Sequence, residues 1–292
     1  MKEGMSVETS TLGTAAQESD REGSDRQEDA RPEQVRPVWG VVRSPQLARA
    51  GIGVLAIATL VIVWWLVAWL GNYPAFILPT PLAVGQRMWD MLLDGSLMGH
   101  VWTTTKEAGL GFLVALIVGT TLGYRIGHSR LLEGLLSPYI AVSQGLPVVA
   151  LAPLLILWFR DDLTRMVVIV ALIVFFPIVV ATMVAVRSMD RSMLEVARIS
   201  GANFLQTLWY VEIPLGARPL LGGIKVGLTL AITGAVVGEM VSAGSGLGFL
   251  LILGRGLFDT TLSFVGLVSL AALALIAYML ITLLERILIN WE

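Results

Sequence analysis

Met193-Leu-Glu-Val-Ala-Arg-Ile-Ser-Gly-Ala-Asn-Phe-Leu-Gln-Thr-Leu-Trp-Tyr-Val-Glu-Ile-Pro214 lies between two long apolar stretches and is too charged to cross a bilayer. It therefore marks a substantial element outside the lipid, at a place where a membrane protein meets another protein. The runs on either side, residues 166–186 and 220–241, are themselves long enough to span. Hydrophobic residues make up 55% of the chain and charged residues 14%, and the apolar residues fall in runs, which a soluble core cannot use. At about 20 residues per span, against a hydrocarbon core about 30 Å thick, the chain offers six candidate spans at residues 50–70, 101–127, 132–159, 166–186, 220–241 and 262–284. Those longer than needed imply tilt or kinks.

Basic residues near a membrane are retained on the cytoplasmic side. An inside N-terminus gathers Arg31, Arg36, Arg43, Arg49, Arg125, Arg130, Arg187, Arg191, Arg198, Arg218 and Arg286 there, leaving Arg87, Lys106, Arg160, Arg165 and Arg255 outside. An even number of spans returns the C-terminus to the same side, and the quoted segment is cytoplasmic as well. Residues 1–45 are rich in Glu, Asp, Arg, Gln and Ser and read as a disordered tail. Its acids offset its bases, so it is not an arm for nucleic acid or anionic lipid. The first apolar run begins too far from the N-terminus for a cleaved signal peptide.

The chain has no cysteine, which excludes disulfides and thiolate chemistry, and its histidines are His100 and His128 alone, which argues against a histidine zinc site. It has no His-Glu-x-x-His run, no Gly-x-Ser-x-Gly elbow and no Gly-x4-Gly-Lys-Ser/Thr phosphate loop. If transport here is active, its energy enters through another subunit. Tyr73-Pro-Ala-Phe-Ile-Leu-Pro-Thr-Pro81 opens the connection after the first span, and residues 82–93 carry helical apolar spacing. That spacing predicts an interfacial helix on the outer surface; a plain loop is the other reading.

Within the quoted segment, Ser192 three residues before Glu195 has the form of a capping box. Gly201 can take the left-handed conformation that closes a helix. Phe204, Leu208 and Val211 then form one apolar stripe, and Pro214 disfavours helix at Ile213, so the chain is expected to bend there. A helix, a turn and a helix outside the bilayer follow. Exposed Phe, Leu and Trp mark a contact surface, suited to the groove of a partner. The residues alone equally allow both helices to lie on their own bundle, with Glu195 acting as a cap.

Glu195-Val-Ala197, three residues, Gly201, nine residues, then Val211-Glu-Ile-Pro214 resembles the signature loop of binding-protein-dependent ABC importer permeases, Glu-Ala-Ala-x3-Gly-x9-Ile-x-Leu-Pro. Val196, Val211 and Ile213 depart from the pattern by apolar exchange, and the spacing is unbroken. The likeness runs from about His100 to the C-terminus, through Leu151-Ala-Pro-Leu-Leu-Ile-Leu-Trp-Phe159, Phe175-Phe-Pro177, Gly238-Glu-Met240 and Gly246-Leu-Gly248. It is similar to the nitrate, taurine and aliphatic-sulfonate permease family, which also holds riboflavin and thiamine-pyrimidine-precursor permeases. The resemblance implies an all-α, six-helix type I importer permease in a bacterial inner membrane, with a cytoplasmic coupling helix. It divides the chain into a tail at 1–45, a first helix with external segment at 46–99 and a permease core at 100–292. It assigns Glu195, Ala197, Gly201, Phe204, Leu208, Val211, Ile213 and Pro214 to the contact with a separate ATPase. It further implies an external solute-binding protein and a second permease subunit, as a homodimer. The chain is then no enzyme and has no cofactor of its own; ATP and magnesium belong to the partner.

Pro147, Pro153 and Pro177 each remove a helical hydrogen bond, and such breaks are tolerated beside a cavity or a neighbouring helix. Gly109, Gly111, Gly119 and Gly123, and Gly222, Gly223, Gly227 and Gly234, suit close helix contact. An ionisable residue in a span is a functional candidate, and Glu239 is the clearest, toward water or a passage near the outer end of the fifth span. Lys225 can snorkel. Ser143, Gln144, Thr229 and Thr233 offer hydrogen bonds to a passage and Phe175 and Phe176 an apolar gate, with ordinary packing as the alternative for each. The stretch from Gly223 to Glu239 looks more like permeases for riboflavin or a thiamine pyrimidine precursor than for sulfonate, taurine or nitrate. A flat heterocycle suits aromatic walls, and few positive residues sit in the outer half of the spans. An intramembrane enzyme would need a catalytic group deep in a span, and neither paired Asp nor a Ser-His set is visible. A non-transporting scaffold would lack the ATPase partner.

Overall fold

The computed structural model describes residues 45–145, 148–242 and 244–288, and among them every regular element is helical. They are α1 (Pro45–Leu70), α2 (Pro81–Leu93), α3 (Ser96–His128), α4 (Arg130–Gly145), α5 (Val148–Trp158), α6 (Asp162–Arg187), α7 (Arg191–Ile199), α8 (Phe204–Thr207), a π-helical turn (Leu208–Glu212), α9 (Ile213–Ser242), α10 (Leu247–Gly256) and α11 (Thr260–Leu288). The chain divides into two units, Met1–Ile57 and Ala58–Glu292. Of the first, the described part is the opening of α1; the expected tail lies outside the described residues.

Among the described residues, four helices are long and apolar enough to cross a membrane: Ser96–His128, Asp162–Arg187, Phe204–Val241 and Thr260–Glu285. Large side chains such as Leu60, Trp69, Leu113, Ile117, Leu280 and Leu283 are exposed on them and on α1, as they should be where lipid is the solvent. The α1 segment is pinned by Trp64, whose Nε1–H donates to the Pro79 carbonyl at 3.1 Å and whose ring stacks 5.3 Å from Phe264. The interfacial helix expected at 82–93 is α2. Thr80 caps it, accepting the Ala83 N–H at 3.3 Å, and Pro81 sits where its missing N–H is harmless.

Residues 132–159, expected as one span, fall in α4 and α5, on either side of Leu146 and Pro147, which lie outside the described residues. Pro153 and Pro177 fall inside α5 and α6, which run through them. The largely apolar ten-residue α10 forms a further short helix that run length alone does not reveal.

Helix α6 occupies the centre of the bundle, with Met166, Ile169, Val170, Val174 and Ile178 fully buried along one stripe. Lipid tails are as apolar as these side chains, so burial gives no net transfer gain and close van der Waals contact must hold the helices. Glycine permits that contact. A methyl at Gly111 would fall 2.4 Å from Val170 Cβ, and one at Gly123 would fall 2.6 Å from the Val179 carbonyl oxygen. On the other side of α6, Gly223 meets Ala181 and Gly227 meets Ile178 in the same way. Gly109 and Gly222 differ from expectation: nothing lies within 4 Å of a methyl at either, because both fall off the faces turned to α6. Lys225 also differs. It is ion-paired with Glu285 of α11, a partner that offsets its burial better than reaching for the membrane surface.

Candidate functional site

The segment Met193–Pro214 folds as an elbow fixed by three caps. Asp190 caps α7 by accepting the Ser192 N–H at 2.9 Å, in place of the expected box between Ser192 and Glu195. A carboxylate is a stronger acceptor for the unpaired N–H groups of a helix start than a hydroxyl. That backbone N–H, with the Ser192 side chain, holds the Asp190 carboxyl below its ordinary range. At the other end the Ala202 N–H reaches the Ala197 carbonyl and the Gly201 N–H the Arg198 carbonyl, both at 3.0 Å. This is the doubly bonded Schellman closure, and it sets Gly201 at φ +76°. A reciprocal capping box then starts α8: Asn203 Oδ1 accepts the Gln206 N–H and Gln206 Oε1 the Asn203 N–H, each at 2.9 Å.

Pro214, expected to disfavour helix at Ile213, lies in a helix that runs through both residues. The π-helical turn at Leu208–Glu212 precedes it, the Ile213 N–H reaching back five residues to the Leu208 carbonyl. Proline has no N–H to give and its ring crowds the carbonyl four residues earlier. The extra residue in the turn relieves that crowding, so elbow and membrane helix form one continuous helical run, Phe204–Val241.

The elbow is anchored to α3. Glu212, buried in the π-turn, accepts the Tyr124 hydroxyl at Oε2, 2.7 Å away, and its Oε1 lies 3.4 Å from His128 Nε2. The Tyr124 and His128 rings sit 4.3 Å apart. Sequence reasoning missed this cluster; the signal was Tyr124 and His128 one turn apart at the end of the second span, with an acid in the elbow.

Ala197 is buried and Glu195 exposed. Glu195 lines a polar cavity of about 530 Å³ with Arg130, Glu133, Arg187, Arg191 and Arg198, where Arg187 is paired with Glu133. Leu208, Val211 and Pro214 are half-buried, whereas Phe204 and Ile213 are exposed. The outward apolar surface is therefore broader than the stripe the spacing predicts. Ile199 is 87% exposed and Tyr210 81%, with Phe204, Leu205 and Trp209 also exposed. A rigid apolar knob of this kind can seat in a cleft and transmit force without catalysing anything.

Ser143, Phe176 and Thr233 come together at a cavity of about 610 Å³ between α4, α5, α6 and α9, lined also by Pro177 and Gly223. Phe175 joins Ser143 and Phe176 at a second apolar cavity of about 590 Å³, and the two phenylalanine rings meet edge-on, centroids 5.0 Å apart. The hydroxyls of Ser143 and Thr233 donate to carbonyls of their own helices at 2.8 and 3.2 Å, leaving lone pairs to accept. Thr229 lines neither cavity, and the side chain of Gln144 lies outside the described residues. Glu239 is not turned toward water or a cavity: it is 1% exposed and accepts the Gly248 N–H at 2.6 Å, the helix start of α10 providing what water would have.

A family model described as binding-protein-dependent transport system inner membrane component matches residues 111–290. The chain is 50% identical over 233 residues to the riboflavin transport system permease protein of Chloroflexus aurantiacus, covering 80% of this chain and 87% of that one. It is 31% identical over 240 residues to the putative aliphatic sulfonates transport permease protein of Bacillus subtilis, covering 82% and 87%. To the formylaminopyrimidine transport permease protein of Halalkalibacterium halodurans it is 29% identical over 233 residues, covering 80% and 92%. In fold it is similar to a chain of the MetNI methionine ABC transporter in an inward-facing conformation, with TM-score 0.59, 18% identity and coverage of 66% of this chain and 96% of that one.

Proposed function

Because the chain belongs to the family of binding-protein-dependent transport system inner membrane components, a multi-pass membrane permease of the ABC importer class, we propose that it carries a flat, uncharged heterocycle such as riboflavin. The observation that carries the cargo reading is the cavity between α4, α5, α6 and α9. Among the described residues its lining holds two hydroxyls, Ser143 and Thr233, and the ring of Phe176, with no charged side chain. Its volume of about 610 Å³ is of the order usual for small-molecule sites, about 300–1,000 Å³. A ring system gains from aromatic and aliphatic walls and a few acceptors, whereas a sulfonate brought there would lose its hydration without a cation to replace it. The 50%-identical relative named for riboflavin transport supports the same cargo.

A separate ATP-binding subunit hydrolyses ATP, and an external binding protein delivers solute. A second copy of this chain completes the passage, and both termini face the cytoplasm. The elbow carrying Glu195, Ala197, Gly201, Phe204, Leu208, Val211, Ile213 and Pro214 seats in a cleft of the ATPase. Closure of the ATPase pair draws the two elbows together. Because the elbow is continuous with α9 and tied to α3 through Tyr124 and Glu212, its displacement rocks both helices and turns the cavity from one side of the membrane to the other.

The test is uptake into proteoliposomes holding this chain with its ATPase and binding protein. ATP-dependent accumulation of radiolabelled riboflavin, competed by unlabelled flavin and not by taurine, is expected. Competition by taurine without competition by flavin would replace the heterocycle with a sulfonate.

A further inference from the structure

Two buried carboxyl groups serve neither the elbow nor the cavity. Glu239 of α9 is 1% exposed and Glu107 of α3 is 6% exposed, and their carboxyl groups lie within hydrogen-bond reach of each other. The first turn of α10 closes over them. The Gly246 N–H donates to His100 Nδ1 at 3.1 Å, the Leu247 N–H to Thr104 Oγ1 at 2.8 Å and the Gly248 N–H to Glu239 Oε2 at 2.6 Å. His100, Thr104 and Glu107 stand at i, i+4 and i+7, one face of α3. The packing leaves no slack: a methyl at Gly246, where φ is +109°, would fall 2.2 Å from the Glu239 carboxyl carbon.

Among the described residues, Glu239 Oε1 and Glu107 Oε2 are buried without a hydrogen-bond partner. Such orphaned polar atoms are unfavourable, and two carboxylates this close, sealed from water, cannot both ionise. One proton removes both difficulties, turning two facing acceptors into a donor and an acceptor. We propose that Glu107 and Glu239 form a proton-binding site, in which a neutral Glu107 carboxylic acid donates to a Glu239 carboxylate and so fastens the start of α10 to α3 and α9.

The surroundings decide which residue keeps the charge. Glu239 receives the Gly248 N–H at the N-terminus of α10, where a helix favours an anion; among the described residues Glu107 receives no such N–H. The charged groups that act on Glu107 are Lys106, its neighbour on α3, and Asp162 at the start of α6. Arg165 is engaged with Asp162. His100 accepts at Nδ1 from Gly246 and so holds its ring proton at Nε2 as a neutral tautomer.

Infrared spectroscopy of the full-length protein in lipid nanodiscs at neutral pH tests the site. A protonated-carboxyl C=O band is expected in the wild type and its loss in Glu107→Gln. Because glutamine copies the neutral acid and can still donate, Glu107→Gln is expected to keep the wild-type unfolding midpoint. Glu239→Gln removes the charge held by α10, and its amides should exchange with solvent about tenfold faster or more, the fold-change that a lost charge-assisted hydrogen bond implies. Absence of the band in the wild type would overturn the site, as would its survival in Glu107→Gln. A pair stabilised only by added divalent cation, or Glu107→Gln as damaging as Glu239→Gln, would overturn it equally.

Discussion

The Tyr124 hydroxyl donates to Glu212 Oε2 at 2.7 Å, joining the last turns of α3 to the π-helical turn of the elbow. Glu212 is buried, so removing its donor leaves a desolvated carboxylate oxygen, a loss of about 1–3 kcal/mol or more for a charged group. Tyr124→Phe is therefore expected to lower the thermal unfolding midpoint and to reduce transport per ATP hydrolysed, while binding to the ATPase persists. Coupled uptake and hydrolysis in proteoliposomes read this out. An unchanged ratio of solute moved to ATP consumed would show that the bond is structural only.

Gly201 sits at φ +76°, yet nothing lies within 4 Å of a methyl placed on it. Its constraint is thus backbone geometry and not space. A β-branched side chain in the left-handed region costs roughly 1–2 kcal/mol, whereas asparagine enters it more readily. Gly201→Val should reduce uptake and weaken co-purification of the ATPase, and Gly201→Asn should keep most of both. Equal loss in the two variants would mean that the position contacts the partner directly.

The cap on α7 carries a pH signature. Asp190's carboxyl is held below its ordinary value by the Ser192 N–H and the Ser192 side chain. A depressed folded pKa makes the cap's contribution complete above the unfolded value, about 3.9 for Asp, and lost as pH falls through the folded value. Amide protection of Ser192 and its neighbours is expected to drop in that acid window. Asp190→Asn, which caps without a charge, should remove the drop. Protection falling at the same pH in both proteins would assign the effect to another group.

The elbow was the most legible part of the chain because its signals are local. Glu195, Gly201 and Pro214 stand at fixed spacing, and a left-handed glycine needs no tertiary context to be anticipated. The substitution of Asp190 for Ser192 as the cap is a competition among neighbouring acceptors that spacing does not rank. Proline rules disfavour helix at Ile213, but the π-turn relieves the crowding and the helix continues; Tyr124, which bonds that turn through Glu212, lies 88 residues away in sequence. Glu107 went unnoticed because its meaning lies in the facing carboxyl of Glu239. Ser143, Phe176 and Thr233 could be named as candidates, but only packing brought them to one cavity and left Thr229 outside it.

Packing between α3 and α6 separates two glycines that composition treats alike. A methyl at Gly123 would meet the Val179 carbonyl oxygen at 2.6 Å and Thr182 Cβ at 2.8 Å, whereas one at Gly109 meets nothing within 4 Å. Backbone atoms of a central helix cannot step aside cheaply, and overpacking of this kind costs about 1–3 kcal/mol. Alanine for glycine on an open helix face gains up to about 1 kcal/mol of helix propensity. Gly123→Ala is therefore expected to lower the denaturation midpoint in mixed micelles, with Gly109→Ala unchanged or raised. If both substitutions shift the midpoint alike, close approach at Gly123 does not hold α3 against α6, and side-chain contacts elsewhere along the pair must carry the association.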